Sequence, residues 1–395
     1  MNKYILDEVC EGMAKILIIR SLANNISLTS YKPILKPVFY NPFMRYSRTI
    51  DTFLLKIFGT ELEDGLICDL LSATGIRGIR YYLESNIDRV KVIFNDANPV
   101  AYNLIRRNIL RNKIKRCEVY NFHASFLLIF YKYIRRKRFS VIDIDPFGSP
   151  IKFIGLAFDS INNKGLIFVT STDLAVLMGV YPQKCSRKYM AISFKSDFSR
   201  EVALRILLGY IAREAARHDI IIQPLLSYSI KHFIRICIRI MYDGLNVSKF
   251  LAKNIGYIAY CNKCGFRKYR EKIDIFFCPV CGQKILWGGP LWIGNIGNKD
   301  IVRKITNYVK DVQYISEKEK DFLSNMLEKI YFDQESIEPY YTTDGLSSLY
   351  KINEPSLDKL IYNLREKGYI AAKTHFSPKG FKTNATIDFI IKLFN

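Results

Sequence analysis

The sequence predicts an α/β fold built on a doubly wound parallel sheet, followed by a small cysteine-rich module and a smaller α+β C-terminal domain with a winged-helix-like end. Three observations lead to this prediction. Up to about residue 240, short apolar runs alternate with amphipathic helical segments. Four cysteines then stand in two Cys-x-x-Cys pairs, and the rest of the chain returns to helical patterns that end in a Pro/Gly loop. The predicted domains are residues 1–242, 243–285 and 286–395.

Four apolar runs of the first domain are the candidate strands of the sheet. They are residues 65–71, 90–96, 139–145 and 165–172, and the apolar run in each of them ends on a polar residue. Residues 199–219 repeat apolar side chains at helical spacing and predict a long helix. Ligands of open parallel sheets bind at the carboxyl ends of the strands, where these polar residues lie. We therefore expect the functional site at that edge.

The charge of the chain is strongly basic and unevenly distributed. Lys and Arg number 59 against 37 Asp and Glu, a net charge of +22. From residue 286 onwards, 15 basic and 14 acidic residues nearly cancel, so most of the excess lies earlier. Runs such as RRNILRNKIKR (106–116) and YKYIRRKR (131–138) concentrate it. They suit nucleic-acid phosphates, although a general lysine bias on solvated faces would give the same excess.

Neither a membrane span nor a signal peptide is visible in the sequence. No apolar run approaches the roughly 18 residues that a membrane span requires. The N-terminal segment carries Asp7, Glu8 and Glu11 where a signal peptide would be apolar. We therefore expect no membrane insertion, no export and a cytoplasmic location.

Four of the nine cysteines form a metal-binding pattern. Cys261, Cys264, Cys278 and Cys281 follow the spacing C-x2-C, thirteen residues, C-x2-C, which is close to that of a zinc ribbon. A glycine after each pair permits a tight turn. Four thiolate ligands leave no position for water, so the predicted Zn²⁺ is structural. Disulfides are the alternative, disfavoured in a cytosolic chain, and iron in a rubredoxin-like site is another.

The first candidate strand runs into the small-residue turn SATGIRG. Asp69 ends the strand, Gly75 and Gly78 line the turn, and a helix begins near Ile76. Asp96 ends the next strand, where an acid can hydrogen-bond a ribose diol. The turn lacks the G-x-G-x-x-G spacing of a pyrophosphate-binding loop. The absence of that spacing favours S-adenosylmethionine (AdoMet) over NAD as the ligand. Binding of NAD, and binding of no nucleotide at all, remain the alternatives.

The third candidate strand ends on IDIDPFG, in which Asp145, Pro146 and Phe147 are consecutive. The pattern resembles the Asp/Asn-Pro-Pro-aromatic signature of enzymes that methylate exocyclic base nitrogens. Asp145 and the Pro146 carbonyl can accept the two N–H groups of a planar amine, and Asp145 can take the released proton. Phe147 can stack on the base, which contributes about 1–3 kcal/mol. The alternative is a capping aspartate before a Pro-Gly turn.

Five segments together resemble the archaeal tRNA guanosine-26 N2,N2-dimethyltransferase family in order and spacing. They are PVFYNPFMRYSRTID (37–51), DLLSATGIRGIRYYLE (69–84), DIDPFGSP (143–150), TSTDLAVL (170–177) and KTHFSPKGFKTNA (373–385). The resemblance implies a class I AdoMet-dependent methyltransferase (Rossmann-like) domain and a C-terminal tRNA-binding domain. It implies mono- and dimethylation of the exocyclic N2 of guanosine 26 in tRNA, with AdoMet as methyl donor. No obligate protein partner is inferred.

Carried over by position, the resemblance also assigns the cofactor-binding residues. Arg48 and Arg77 would contact AdoMet, and Asp96 would hold its ribose. His123 and Ala124 would flank the adenine; His123 stands where the family has an acid, which leaves the backbone to bind the adenine amine. Three rival functions remain: methylation of adenine N6, an NAD-dependent oxidoreductase, and a non-catalytic nucleic-acid-binding protein.

Overall fold

The computed structural model describes residues 4–20, 37–62, 65–336 and 338–394, which fall into two compact units. The first unit comprises Met1–Pro146, Leu156–Val169 and Lys304–Leu323, and the second comprises Phe147–Gly155, Thr170–Arg303 and Ser324–Asn395. Each unit is described by itself below.

Among the described residues of the first unit, seven strands begin: β1 Leu6–Glu11, β2 Ala14–Ile19, β3 Leu66–Asp69, β4 Lys91–Asn95, β5 Cys117–Tyr120, β6 Phe139–Ile144 and β7 Ile161–Ser171. β1 and β2 form an antiparallel hairpin. The other five pair in parallel in the order β5-β4-β3-β6-β7, which is the order of a Rossmann half with its first strand central. Their carboxyl ends therefore share one edge.

Helices connect these strands. The helices wholly in the first unit are α1 Arg45–Phe58, α2 Ile76–Glu84, α3 Pro99–Arg111 and α4 Ala124–Ile129. A π-helix, Phe130–Ile134, continues α4. Helices α5 Ile151–Ser160, α10 Lys299–Asp311 and α11 Glu317–Gln334 lie partly in each unit. The start of α3 shows why the chain turns helical there: Pro99 is its first residue and the Asn98 side chain accepts the Val100 N–H.

The second unit contains three antiparallel groups of strands. Its helices are α6 Leu174–Leu177, α7 Pro182–Tyr189, α8 Ser199–Ala216, α9 Val247–Asn254, α12 Thr343–Tyr350, α13 Leu357–Glu366 and α14 Ile387–Lys392. Its strands are β8 Ile220–Ile230, β9 Phe233–Tyr242, β10 Ile255–Tyr260, β11 Arg267–Arg270, β12 Leu286–Trp292, β13 Tyr341–Thr342, β14 Ala371–Lys373 and β15 Gly380–Thr383. β8 and β9 form a hairpin. The orders β11-β10-β12 and β13-β15-β14 complete the other two sheets.

The predicted α/β fold class is confirmed. The four candidate strands correspond to β3, β4, β6 and β7, and α8 covers most of the predicted long helix. The part of the chain with the predicted winged-helix-like end contains α13, and the β14–β15 hairpin follows it. β5 and the β8–β9 hairpin were not predicted. Among the described residues, no helix combines the length and apolar character needed to cross a membrane.

Arg267, the first residue of β11, joins the cysteine-bearing sheet to the rest of the second unit. Its guanidinium is 4% exposed and donates to Asp197 and to the Tyr340 carbonyl, each at 3.0 Å. The same group lies 4.2 Å from the ring centre of Phe198 and 4.4 Å from that of Tyr341. The ribbon sheet therefore shares a packed interior with the loop before α8 and with β13.

Candidate active site

The turn after β3 depends on two glycines with different roles. Gly75 caps the start of α2 with φ +79°, a left-handed conformation that favours glycine. Gly78 lies in the first turn of α2, not in the preceding turn where the sequence placed it, because the helix already begins at Ile76. A Cβ on Gly78 would come within 2.4 Å of the Phe94 ring. Its N–H donates to the Asp69 carboxylate at 3.0 Å, so α2 starts directly against the sheet.

Asp96 follows β4 at the same edge. Its two carboxylate oxygens accept the backbone N–H groups of Ala73 and Asn98, each at 2.9 Å. Burial raises the pKa of Asp96, and these two hydrogen bonds oppose the shift. Each oxygen can accept a second hydrogen bond. The carboxylate is thus fixed in place and can still receive two hydroxyl donors, such as those of a ribose.

Asn95, just before Asp96, is a structural residue of the site that the sequence analysis missed. Its fully buried amide donates to the carbonyls of Leu70 and Phe122, each at 3.1 Å, and accepts the Phe122 N–H at 3.1 Å. These bonds tie the ends of β3 and β4 to the segment after β5. The signal was a polar side chain at a buried position of an apolar strand, which requires partners.

The predicted adenine-binding segment lies beside Asp96. His123 is the extended residue before α4, and its side chain makes no capping hydrogen bond. Ala124, the first residue of α4, is buried. The Asn121 side chain donates to the Asp96 carbonyl at 2.7 Å, which joins this segment to the end of β4. The structure therefore brings His123 and Ala124 to the edge where Asp96 lies.

Arg48 is buried within α1 and paired with Glu11. Its Nε and Nη2 atoms each donate to a Glu11 carboxylate oxygen at 2.6 Å, and Nη2 also donates to the Asn41 carbonyl at 3.1 Å. Burial would raise the pKa of Glu11, but the charges and hydrogen bonds of Arg48 and Arg80 lower it to about 2. The Nη1 group of Arg48 makes no hydrogen bond with the described residues. One NH₂ group is thus left for a ligand.

Arg77 occupies the centre of an acidic cluster. The guanidinium, 4% exposed, donates to Asp51 at 2.5 Å and to Asp145 at 2.7 Å, and its Nε lies 3.6 Å from Asp143. The resemblance assigns Arg77 to AdoMet. The structure adds a role that was not predicted, because Arg77 binds the carboxylate of the DPFG motif.

Asp145 is held by one oxygen only. Its Oδ2 accepts from Arg77, its side chain is 22% exposed, and its Oδ1 has no hydrogen bond to any residue that the structure describes. Asp143, two residues earlier, is buried and accepts the Tyr81 hydroxyl. Arg77 therefore orients the Asp145 carboxylate through Oδ2, and Oδ1 can accept a hydrogen bond from a ligand. Pro146 follows Asp145, is half-buried, and has no N–H to donate.

The electrostatic balance of this edge is acidic. Burial, together with the nearby Asp143 charge, raises the pKa of Asp69 to about 7. The carboxylates of Asp51, Asp143 and Asp145 all lie within 3.6 Å of the single guanidinium of Arg77. Such an environment favours a cationic ligand and disfavours a pyrophosphate. The sulfonium of AdoMet therefore fits this edge better than NAD does.

The second unit contains the continuation of the motif. Phe147 is 63% exposed. Gly148 has φ +83°; its N–H donates to the Thr172 hydroxyl at 2.7 Å, and its carbonyl accepts the Thr172 N–H at 2.9 Å. The Tyr189 hydroxyl lies 3.2 Å from the Asp173 carboxylate. The loop after Phe147 is thereby fixed to the TSTD segment, a pairing that the sequence did not reveal.

Comparison with known proteins decides the family. The family model for N2,N2-dimethylguanosine tRNA methyltransferase matches residues 20–395. The chain belongs to this family. A tRNA (guanine(26)-N(2))-dimethyltransferase of Methanobrevibacter smithii is 34% identical over 394 residues, covering 98% of this chain and 96% of that protein. One of Pyrobaculum calidifontis is 38% identical over 358 residues, 89% of each chain. The solved structure of Trm1 from Pyrococcus horikoshii with S-adenosyl-L-methionine has a TM-score of 0.82 and 32% identity, covering 98% of this chain and 99% of that one.

The cysteine cluster of this dimethylguanosine methyltransferase family member suits a tetrahedral metal. The sulfur atoms of Cys261, Cys264, Cys278 and Cys281 all lie within 4.8 Å of one another. Two pairs are 3.5 Å apart, far beyond a disulfide bond of about 2.05 Å, and all four cysteines are free. Zn–S bonds of about 2.3 Å place tetrahedral sulfurs close to these separations. The geometry therefore favours a metal over the disulfide alternative.

Proposed function

We propose that this protein catalyses AdoMet-dependent mono- and dimethylation of the exocyclic N2 of guanosine 26 in tRNA. Membership of the dimethylguanosine methyltransferase family supports the reaction class. Within this chain, the proposal rests on the Asp145 carboxylate after β6, whose Oδ2 accepts from Arg77 and whose Oδ1 accepts no hydrogen bond from a described residue. An oriented acceptor oxygen beside a proline carbonyl is what a planar amine with two N–H groups requires.

The DPFG motif acts as a clamp in this proposal. Asp145 Oδ1 and the Pro146 carbonyl accept the two N–H groups of guanine N2, which draws the nitrogen lone pair out of conjugation with the ring. Phe147 stacks on the base. The new N–C bond forms as the C–S bond of the sulfonium breaks, and the proton on N2 passes to Asp145. The target base is extruded from its stem to reach the clamp.

The cofactor-binding residues remain as assigned by resemblance, with one refinement. AdoMet, when bound, supplies the methyl group. Asp96 accepts the ribose hydroxyls through its two remaining acceptor positions, and His123 and Ala124 flank the adenine. Arg48 offers its Nη1 group to the carboxylate of the cofactor. Arg77 acts chiefly through Asp145, whose carboxylate it orients.

The rest of the chain is assigned to metal binding and to tRNA binding. We assign residues 1–242 to the methyltransferase domain, 243–285 to the zinc ribbon and 286–395 to a C-terminal tRNA-binding domain. Cys261, Cys264, Cys278 and Cys281 hold a structural Zn²⁺, and iron is the alternative metal. The protein works in the cytoplasm, on tRNA, and no obligate protein partner is inferred.

The test is methylation of an unmodified tRNA that carries guanosine at position 26, with labelled AdoMet and nucleoside mass spectrometry of the digested product. N2-methyl- and N2,N2-dimethylguanosine are expected, and both are expected to disappear in Asp145→Ala while tRNA affinity is kept. Methylated adenosine would move the clamp to another base. Binding of NADH without AdoMet, or full function in Asp145→Ala, would contradict the proposal in favour of the oxidoreductase or the non-catalytic binding protein.

A further inference from the structure

A second concave site lies at the opposite edge of the parallel sheet. It is a cavity of about 690 Å³ within the first unit. Its walls come from the amino ends of the strands: Leu66 begins β3, Lys91 begins β4, and Arg138 immediately precedes β6. The candidate active site is at the carboxyl ends of the same strands. None of the clamp or cofactor residues therefore lines this cavity.

The cavity is lined by an unusual density of positive charge. Six of its residues are basic, namely Lys91, Arg116, Lys132, Arg136, Lys137 and Arg138. Lys91 pairs with Glu118 and Lys132 pairs with Asp159. Arg116, Arg136 and Lys137 are exposed and form no ion pair with any described residue. This leaves an excess of positive charge facing one concave surface.

The turns at this edge of the sheet carry further basic residues. Arg89, Lys113 and Arg136 adopt left-handed conformations, with φ +57°, +53° and +52°, in the turns that lead into β4, β5 and β6. Glycine avoids the steric cost of this conformation, and asparagine is the usual substitute. Of the three, Arg136 lines the cavity, and Arg89 and Lys113 lie in neighbouring turns at the same edge.

The π-helix contributes the aromatic part of the surface. Tyr133, in Phe130–Ile134, lines the cavity and is 59% exposed, with the Lys132 ammonium 4.8 Å from its ring centre. π-helical turns are rare and are frequently found at functional sites. An exposed tyrosine beside cations is the combination that binds an RNA strand, because the ring can stack on a base while the cations neutralise phosphates.

We propose that this cavity, the amino-edge basic pocket, binds backbone phosphates of the tRNA substrate. The inference rests on the proposed function, since it takes tRNA as the substrate. Exposed cations suit an extended polyanion better than a small anion, which is usually enclosed by buried donors. The strands that separate the two edges are four to six residues long, about 13–20 Å. That is well below the roughly 34–36 Å of one turn of a DNA duplex, and a tRNA stem is an A-form helix of comparable dimensions, so one stem can contact both edges.

The experiment compares two triple variants of equal charge change. The pocket variant is Arg116→Gln, Arg136→Gln and Lys137→Gln. The control is Lys15→Gln, Lys249→Gln and Lys284→Gln, three exposed lysines outside the pocket and outside residues 286–395 that form no ion pair with a described residue. Both are measured for tRNA affinity between 50 and 200 mM salt, for the KM and kcat of methylation, and for AdoMet affinity as a check of folding. The salt range is about that over which phosphate contacts change affinity strongly.

The pocket variant should bind tRNA roughly 100-fold more weakly at about 0.1 M salt, and its log–log salt slope should fall by about 2–3. Its KM for tRNA should rise while kcat at saturating tRNA and AdoMet affinity stay within about threefold of the parent. Arg116→Lys with Arg136→Lys, in a chain that keeps Lys137, should retain most of the affinity, since the charges persist. The control should change little in comparison.

Equal weakening by both triple variants would overturn the proposal, because it would mean that only total charge matters. Binding of inorganic pyrophosphate is measured as well. If the parent binds it and the pocket variant does not, while the tRNA KM and salt slope are unchanged, the proposal is overturned in favour of a small-anion site. If the parent binds tRNA but produces no methylguanosine, the proposed function fails instead. The comparison of salt slopes would then still decide whether the pocket binds RNA phosphates.

Discussion

Asp145→Asn changes one atom of the clamp, and the structure predicts which way the new amide will turn. Arg77 donates to Oδ2 of Asp145 at 2.7 Å and needs an acceptor there. The amide oxygen must therefore face Arg77, which places the NH₂ group where Oδ1 was. A donor then faces the N–H groups of the guanine amine, which also need acceptors. Loss of a charge-assisted hydrogen bond costs about 1.5–3 kcal/mol. With the opposed donors added, the total is about 3–4 kcal/mol, or a rate roughly 10²–10³-fold lower.

The assay is the single-turnover rate of N2 methylation at saturating AdoMet and tRNA, with both affinities measured by calorimetry. AdoMet affinity should stay within about fivefold of the parent, since Asp145 is not assigned to the cofactor. The affinity for tRNA should stay within the same range, since one hydrogen bond to the extruded base is a small part of the contact with the whole tRNA. Asp145→Ala, which introduces no opposed donor, should be no slower than Asp145→Asn. A rate for Asp145→Asn within tenfold of the parent would refute the clamp. A large loss of AdoMet affinity would place Asp145 in the cofactor site instead.

Three further predictions concern buried charges and the metal. Glu11→Gln should lower the free energy of unfolding by about 3–5 kcal/mol, because it removes the negative charge that pairs with the buried Arg48 and Arg80. The pKa of Glu11 is lowered from 4.5 to about 2 in the folded state, so the parent's free energy of unfolding should fall as the pH drops through that interval. Asp69→Asn should have the opposite pH signature, because the folded-state pKa of Asp69, about 7, lies above the ordinary value of 3.8. The parent's free energy of unfolding should therefore fall by up to about 4 kcal/mol as the pH rises between these two values, whereas that of the variant should not. Cys264→Ser should abolish binding of about one Zn²⁺ per chain and lower the melting temperature of the second unit.

Each of these has its own contrary result. Denaturant titrations between about pH 2 and pH 8 measure the free energy of unfolding that the two carboxylates affect. A Glu11→Gln variant as stable as the parent would contradict the assigned ion pairs. An Asp69→Asn variant that keeps the parent's dependence of stability on pH would contradict the assigned burial. Native mass spectrometry counts the metal. AdoMet affinity serves as the control for Cys264→Ser, because the assigned cofactor residues lie in the first unit, and it should be unchanged. An unaltered metal content in Cys264→Ser would contradict the four-cysteine site.

The central part of the fold could be predicted because its strands are continuous apolar runs that end on acids. β3, β4, β6 and β7 are of this kind. β5 escaped because CEVY is short and only half-buried, so it carries little apolar signal. The β8–β9 hairpin was not predicted because both strands are nearly all apolar with scattered polar residues. Periodicity alone does not distinguish such segments from helices.

The residue types of the site could be predicted, but their partners could not. Asp96, Asp145 and the four cysteines are recognisable from position in a strand or from spacing. The Arg77–Asp145 pair joins residues 68 positions apart, and the Arg48–Glu11 pair joins an α1 residue to the β1 hairpin. Such pairs depend on how helices pack against the sheet, which no local pattern encodes.

The position of Arg267 limits how the protein can be shortened. A chain that ends before the ribbon would leave Asp197 without its guanidinium partner and Phe198 without the group that covers its ring. A chain that lacks the C-terminal region would remove Tyr340 and Tyr341 from the other side of the same guanidinium. The cysteine module is therefore not a detachable accessory, and dissection of the second unit should keep residues 197–198, 267 and 340–341 in one polypeptide.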